Sequence, residues 1–216
     1  MAAPTTTFHQ HPVFARVYAR MAAGLEHRGA AEIRARLLAG LQGTVVEVGA
    51  GTGANFPHYP SGVRQVLAVE PEPHLRSLAE RARGHAQVPV TVVDGLAERL
   101  PVADDSADAA VTSLVLCSVR DQAAALREVH RVLRPGGELR FWEHVRADGG
   151  PLARVQGALD ATVWPLLAGG CHLSRDTLRA VEDAGLTVTR LERFRFPETR
   201  PPNPGAPQLL GVAVRR

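Results

Sequence analysis

One stretch constrains this chain more than any other. Val45-Val46-Glu47-Val48-Gly49-Ala50-Gly51-Thr52-Gly53 is followed by Val66-Leu67-Ala68-Val69-Glu70. An apolar, β-branched run passes into a Gly-x-Gly-x-Gly turn, and a second apolar run ends on an acid. Glycines tolerate positive φ and let backbone approach a ligand closely. An acid at the carboxyl end of the next strand is placed to accept hydrogen bonds from a ribose diol. This is the layout of a nucleotide-type site in an open α/β sheet.

The spacing narrows the ligand. The dinucleotide fingerprint is G-x-G-x-x-G, with a pyrophosphate on the following helix N-terminus. Here the third glycine comes one residue too early. Glu47 also stands two positions before the first glycine. A carboxylate there repels a pyrophosphate but suits a cofactor carrying an amino group and a sulfonium charge. The pattern E-x-G-x-G-x-G is therefore read as a loop for S-adenosylmethionine.

Composition supports one α/β domain with a sizeable core: 216 residues, 45% of them hydrophobic. All 25 basic residues are arginine, against 22 acids, and they form no run of like charge. No nucleic-acid footprint is indicated. Cys117 and Cys171 lie far apart in sequence, and neither belongs to a Cys-x-x-Cys pair. They read as small buried hydrophobes, and Cys171-His172 without a third ligand does not read as a metal site. No apolar run reaches the roughly 18 residues that a membrane span needs. The N-terminus shows no basic-then-apolar signal pattern. The expectation is a cytoplasmic protein without stable membrane insertion.

Along the chain, residues 1–11 read as a polar tail. From Pro12, Phe14, Val17, Tyr18 and Met21 recur at helical spacing, and a second helix is expected over 26–39, ending at Gly40. The first helix is read as core packing or a lid, ahead of a membrane-surface helix. Strands are expected at about 44–48, 65–69, 90–93, 109–115, 138–142, 186–194 and 209–214, with helices near 73–83, 121–133 and 174–184. Such alternation implies a parallel sheet covered on both faces. The last two strands have only a proline-rich segment between them, so they form a hairpin and the final strand runs antiparallel.

Several further motifs sit at strand ends, where such sheets bind ligands. Asp94-Gly95-Leu96-Ala97 follows the third strand and can meet an adenine. Leu133-Arg134-Pro135-Gly136-Gly137 stops a helix and reverses the chain. Leu114-Val115-Leu116-Cys117-Ser118-Val119 and Phe141-Trp142-Glu143-His144-Val145 end the next two strands. His144 is the candidate general base, with a histidine that merely bonds the loop as the plainer reading. Glu143 is placed to orient His144 or a substrate amine. Asp160, Trp164 and His172 fall where a substrate pocket is usually built, and Ser174 reads as an N-cap.

Together these motifs resemble the class I S-adenosylmethionine-dependent methyltransferases. Glu47 to Phe56 with Tyr59-Pro60, Leu114 to Val119, Phe141 to Val145 and Gly170 to Arg175 more narrowly resemble the methyltransferase-like seven family of thiol methyltransferases. The resemblance covers about residues 40–195. It implies a Rossmann-like α/β fold with a seven-stranded, mostly parallel sheet, an antiparallel last strand and N-terminal lid helices. It divides the chain into a tail with capping helices, 1–40, and one methyltransferase domain, 41–216. It implies that Glu47, Gly49, Gly51, Gly53 and Asn55 cradle the methionine part, that Glu70 takes the ribose and Pro71 flanks the adenine. Gly95, Leu96 and Ala97 would meet the adenine, and Leu114 would lie beneath the cofactor. Many class I enzymes have an aspartate where Leu96 stands, so adenine reading falls to backbone or Asp94. Animal members carry an apolar N-terminal anchor that this sequence does not show.

The implied activity is methyl transfer from S-adenosylmethionine to a small-molecule acceptor such as an alkyl thiol. A thiol is partly ionised near neutrality, so a catalytic base is optional. The alternatives are an amine or phospholipid methyltransferase, which needs acidic or aromatic pocket residues such as Glu143 and Trp164, and a non-catalytic cofactor-binding domain. A nicotinamide-dependent oxidoreductase is disfavoured by the loop spacing.

Overall fold

The computed structural model describes residues 12–199 and 203–216. The expected tail, 1–11, lies outside the described residues, as do Arg200, Pro201 and Pro202 of the proline-rich segment. Strands β1 (Gly43–Val48), β2 (Val63–Val69), β3 (Val90–Val93), β4 (Ala107–Ser113), β5 (Leu133–His144), β6 (Leu186–Arg195) and β7 (Pro207–Arg215) form one sheet. Their order is β3-β2-β1-β4-β5-β7-β6. The pairs among β1 to β5 are parallel, while β7 runs antiparallel to both β5 and β6. Central strands are buried on both faces, which is why β1 and β4 are rich in valine and alanine. Chain order reverses between β1 and β4, and that switch point opens a crevice at their carboxyl ends.

Helices α1 (Pro12–Leu25), α2 (Ala31–Leu38), α3 (Pro73–Ala82), α4 (Gln122–Val132), α5 (Gly150–Asp160), α6 (Trp164–Leu167) and α7 (Thr177–Asp183) surround the sheet. Two clusters fill its faces, one centred on Leu126, Leu133, Leu139 and Phe141, the other on Leu37, Phe56, Tyr59 and Trp142. Each large apolar side chain buried there contributes roughly 1.5–3 kcal/mol.

Several expectations change. The second helix does not run unbroken over 26–39. Gly29 adopts φ 110°, a wide turn fills Glu26–Ala30, and helix resumes at Ala31. On α1 the predicted stripe holds in part: Tyr18 faces the cavity, while Val17 is 46% exposed and Ala15 and Ala22 are buried. The side chains of Phe14 and Met21 lie outside the described residues. β4 ends two residues early, because Leu114 turns left-handed at φ 61° and Leu114 N bonds Trp142 O. β5 is longer than expected. α7 starts at Thr177 with Asp176 as its cap, accepting from Arg179 N, because Ser174 is held elsewhere. Neither α5 nor α6 was foreseen: α5 buries only Ala153 and Gln156, too little for a legible apolar period.

Candidate active site

A cavity of about 460 Å³ opens at the switch point. Gly49 and Gly51 wall it after β1, Glu70 and Pro71 after β2, Gly95, Leu96 and Ala97 after β3, and Ser113 to Val115 with Ser118 and Val119 after β4. Ala15 and Tyr18 of α1 cover one side, and Gly169, Gly170, His172 and Arg175 another.

Glu70 organises this cavity. Its Oε2 accepts from Gly51 N at 2.7 Å and its Oε1 from Glu72 N at 3.0 Å. One carboxylate thus ties the end of β2 to the glycine turn. Burial pushes its pKa up to about 7, against the pull of the Glu72 and Gly51 amides. Gly49 sits at φ +70°, where a Cβ would stand 2.6 Å from Val115 Cγ2. Gly51, at φ +57°, faces the Tyr18 ring.

Glu47, Asn55 and Gly53 are not brought to the cavity wall. Successive strand residues point to opposite faces, so Glu47 turns into the core beneath the loop. There it accepts from Asn55 Nδ2 at 2.9 Å and Tyr59 Oη at 2.8 Å. Desolvation raises its pKa to about 7, opposed by those two hydrogen bonds. Asn55 Oδ1 in turn accepts from Arg34 Nη1 at 2.8 Å, and the same nitrogen reaches Ser113 Oγ at 3.0 Å. Arg34 also pairs with Glu26 and lies 5.2 Å from the Trp142 ring centroid. Gly53 instead makes room for Phe56 and Ala82. These three residues brace the loop from behind.

The acceptor-side expectations also divide. Of Asp160, Trp164 and His172, only His172 lines the cavity. The Asp160 carboxylate accepts from Leu173 N and Ser174 N, both at 2.8 Å, and from the Ser174 hydroxyl. It fixes a wall loop. Trp164 packs behind that loop with Leu173 and the two cysteines. Glu143 is fully buried and accepts from Val115 N at 3.1 Å and Cys117 N at 3.2 Å, so it orients neither His144 nor a ligand. His144 lies outside the cavity wall, with Nδ1 facing Cys117 and Cys171. Both cysteines are buried as expected, and the fold brings them together around His144. Asp94 points to solvent and pairs with Arg76 at 3.2 Å, leaving the post-β3 backbone, Leu96 and Ala97 at the cavity.

Sequence reasoning missed Arg175 and Ser113. Arg175 donates to Leu116 O at 2.6 Å and Val119 O at 2.7 Å, clasping the post-β4 turn. Burial lowers its pKa. Nothing local in the sequence marks a side chain that acts on carbonyls 56 to 59 residues away.

The residues present fit S-adenosylmethionine. A bare glycine wall, a carboxylate held in the cavity and a flat apolar rim at Leu96, Ala97 and Leu114 match its charged, ribose and adenine parts. A methyltransferase-domain family model matches residues 46–141. Among solved structures, a geranyl diphosphate methyltransferase in complex with S-adenosylmethionine superposes with TM-score 0.66 at 18% identity, covering 92% of this chain and 90% of that one. An S-adenosylmethionine-dependent methyltransferase from Mesorhizobium loti gives TM-score 0.63 at 24% identity, covering 87% and 98%. Fold and site define a class I S-adenosylmethionine-dependent methyltransferase.

The sequence relatives narrow the class. Thiol S-methyltransferase TMT1B of Homo sapiens is 39% identical over 189 residues, 82% of this chain and 74% of that protein. The chain belongs to this thiol S-methyltransferase family. Among the described residues, no helix is long and apolar enough to cross a membrane.

Proposed function

We propose that this protein methylates the sulfur of a small apolar thiol. The observation that carries the reading is the state of the cavity's acids. Glu70 accepts from Gly51 N and Glu72 N, Glu72 caps α3 through Leu75 N, and Glu98 accepts from Arg120 N and Asp121 N. Each already accepts from backbone amides, which leaves it a weaker partner for a cationic amine than a carboxylate without such bonds. The rest of the acceptor wall is Leu114, Val115, Val119, Gly169 and Gly170, with Ser113, Ser118, Arg120, His172 and Arg175 as its polar groups. The activity named for the human relative agrees with this wall.

S-adenosylmethionine, when bound, supplies a methyl group already activated by its sulfonium charge. The protein then has to align the acceptor and keep water out. Glu70 would hold the ribose, Leu96 and Ala97 would pack on the adenine with Pro71 beside it, and Leu114 would support the cofactor from below. Tyr18 and Ala15 would close the cavity, making residues 12–40 a cap on the domain that begins at 41. No base is required of His144, because a thiol ionises partly near neutrality. The two unbridged cysteines are in keeping with a reducing compartment such as the cytoplasm.

The test is a panel of alkyl thiols, amines and phospholipid vesicles with S-adenosylmethionine, read as methylated product by mass. Thiol products alone are expected. Turnover of amines or lipids with thiols inert would overturn the reading, and cofactor binding without any turnover would return the protein to a non-catalytic role.

A further inference from the structure

Three groups far apart in sequence meet outside the cavity wall. Cys117 comes from the turn after β4, His144 from the last position of β5, and Cys171 from the loop between α6 and α7. Their donor atoms all lie within 4.8 Å of one another. Cys171 Sγ is 3.6 Å and Cys117 Sγ 3.7 Å from His144 Nδ1.

A tetrahedral Zn²⁺ with bonds of about 2.3 Å to sulfur and about 2.0 Å to nitrogen spaces those two ligand atoms about 3.6 Å apart. Both sulfur-to-nitrogen edges of the cluster already have that length, and the sulfur–sulfur edge is within 4.8 Å. We propose that Cys117, His144 and Cys171 bind one thiophilic divalent metal ion, Zn²⁺ best among them, with a fourth position left for water or an exogenous thiolate.

The chemistry balances. Binding one Zn²⁺ displaces one proton from each thiol and leaves the imidazole neutral, so with water in the fourth position the complex carries no net charge. A neutral complex suits a site where both cysteines are buried. The ligands are also held in place without the ion. Cys117 N donates to Glu143 at 3.2 Å, His172 N donates to Cys117 O at 2.8 Å, and Cys171 N donates to Ala168 O at 3.1 Å. Such backbone anchoring fixes ligand orientation in advance. The cluster lies just behind the cavity wall, where Ser118, Gly170 and His172, chain neighbours of the two thiols, line the cavity. The donor set is soft, as two sulfurs with one imidazole select zinc-like ions over magnesium or calcium.

The experiment is a Co²⁺ titration of the reduced, chelator-treated protein, followed by Zn²⁺ back-titration and by metal analysis of protein purified from zinc-supplemented cells. One equivalent should give thiolate-to-cobalt charge-transfer and tetrahedral d–d bands, which Zn²⁺ abolishes. Purified protein should keep close to one zinc per chain after desalting. Cys171→Ser and His144→Gln should each lose the bands and at least tenfold in metal affinity while still binding S-adenosylmethionine. If those variants do not fold, the wild-type bands and zinc stoichiometry decide alone. Absence of bands, bands unchanged in the folded variants, or a Cys117–Cys171 disulfide in place of metal under reducing conditions would each overturn the proposal. Metal binding is read without turnover, so its outcome is independent of the acceptor's identity.

Discussion

Glu70 Oε2 accepts from the Gly51 amide at 2.7 Å, so the acid that ends β2 also sets the shape of the turn that follows β1. The geometry of that turn thus depends on a carboxylate that also lines the cavity. Glu70→Ala should weaken S-adenosylmethionine binding by roughly tenfold to hundredfold, the span of about 1.5–3 kcal/mol for charge-assisted hydrogen bonds. Glu70→Gln should fall between. Calorimetry checks both, and an affinity unchanged in Glu70→Ala would remove Glu70 from the cofactor site.

Glu47 and Glu70 make stability depend on pH in a definite direction. Burial raises both carboxyls from 4.5 to about 7 in the folded protein. The folded state therefore holds more protons than the unfolded chain between those values, and stability falls as pH rises through about 7. The cofactor-free protein should melt at a lower temperature at about pH 8 than at about pH 5.5. Glu47→Gln, which keeps an acceptor for Tyr59 or Asn55, should flatten that slope. An equal slope in both proteins would refute the assignment.

Gly49 is fixed by both conformation and space, with φ +70° and Val115 Cγ2 2.6 Å from where a Cβ would be. Gly49→Ala should cost about 1–3 kcal/mol and abolish cofactor binding. Adding Val115→Ala should relieve the clash but not the backbone strain, so chemical denaturation should show only partial recovery. Full recovery would mean that sterics alone exclude the methyl group.

Arg34 joins Glu26, Asn55 and Ser113 through one planar group. Lysine cannot reproduce that fork. Arg34→Lys should destabilise the protein by about 1–3 kcal/mol through buried partners left unsatisfied. It should also weaken cofactor binding, because Asn55 braces Glu47 beneath the loop. A melting temperature equal to wild type would count against this network.

Asp160 should behave as a wall-fixing residue. Asp160→Ala frees the amides of Leu173 and Ser174, next to His172 in the cavity. The expected result is a several-fold rise in acceptor KM with cofactor affinity unchanged. Steady-state kinetics with a thiol separates the two, and a loss of kcat alone would point to direct chemistry by Asp160.

The sequence by itself determined the parts whose signals are local. β-Branched runs ending in glycine or an acid located β1, β2 and β3, and the uninterrupted link between β6 and β7 dictated an antiparallel last strand. The glycine loop with Glu70 identified the cofactor class. What only the tertiary structure decided is the direction and company of side chains. Strand alternation turns Glu47 away from the cavity, a left-handed Leu114 ends β4 early, and on α1 Val17 faces outward while Ala15 and Ala22 are buried. Asp160 stands among plausible ligands in sequence yet serves the backbone 13 and 14 residues further on. Cys117, His144 and Cys171 are isolated in the chain and adjacent in space, because parallel strands bring successive loops to the same sheet edge. Sequence spacing records contacts within a helix, a strand or a turn. Contacts between loops separated by whole βα units leave no local period to read.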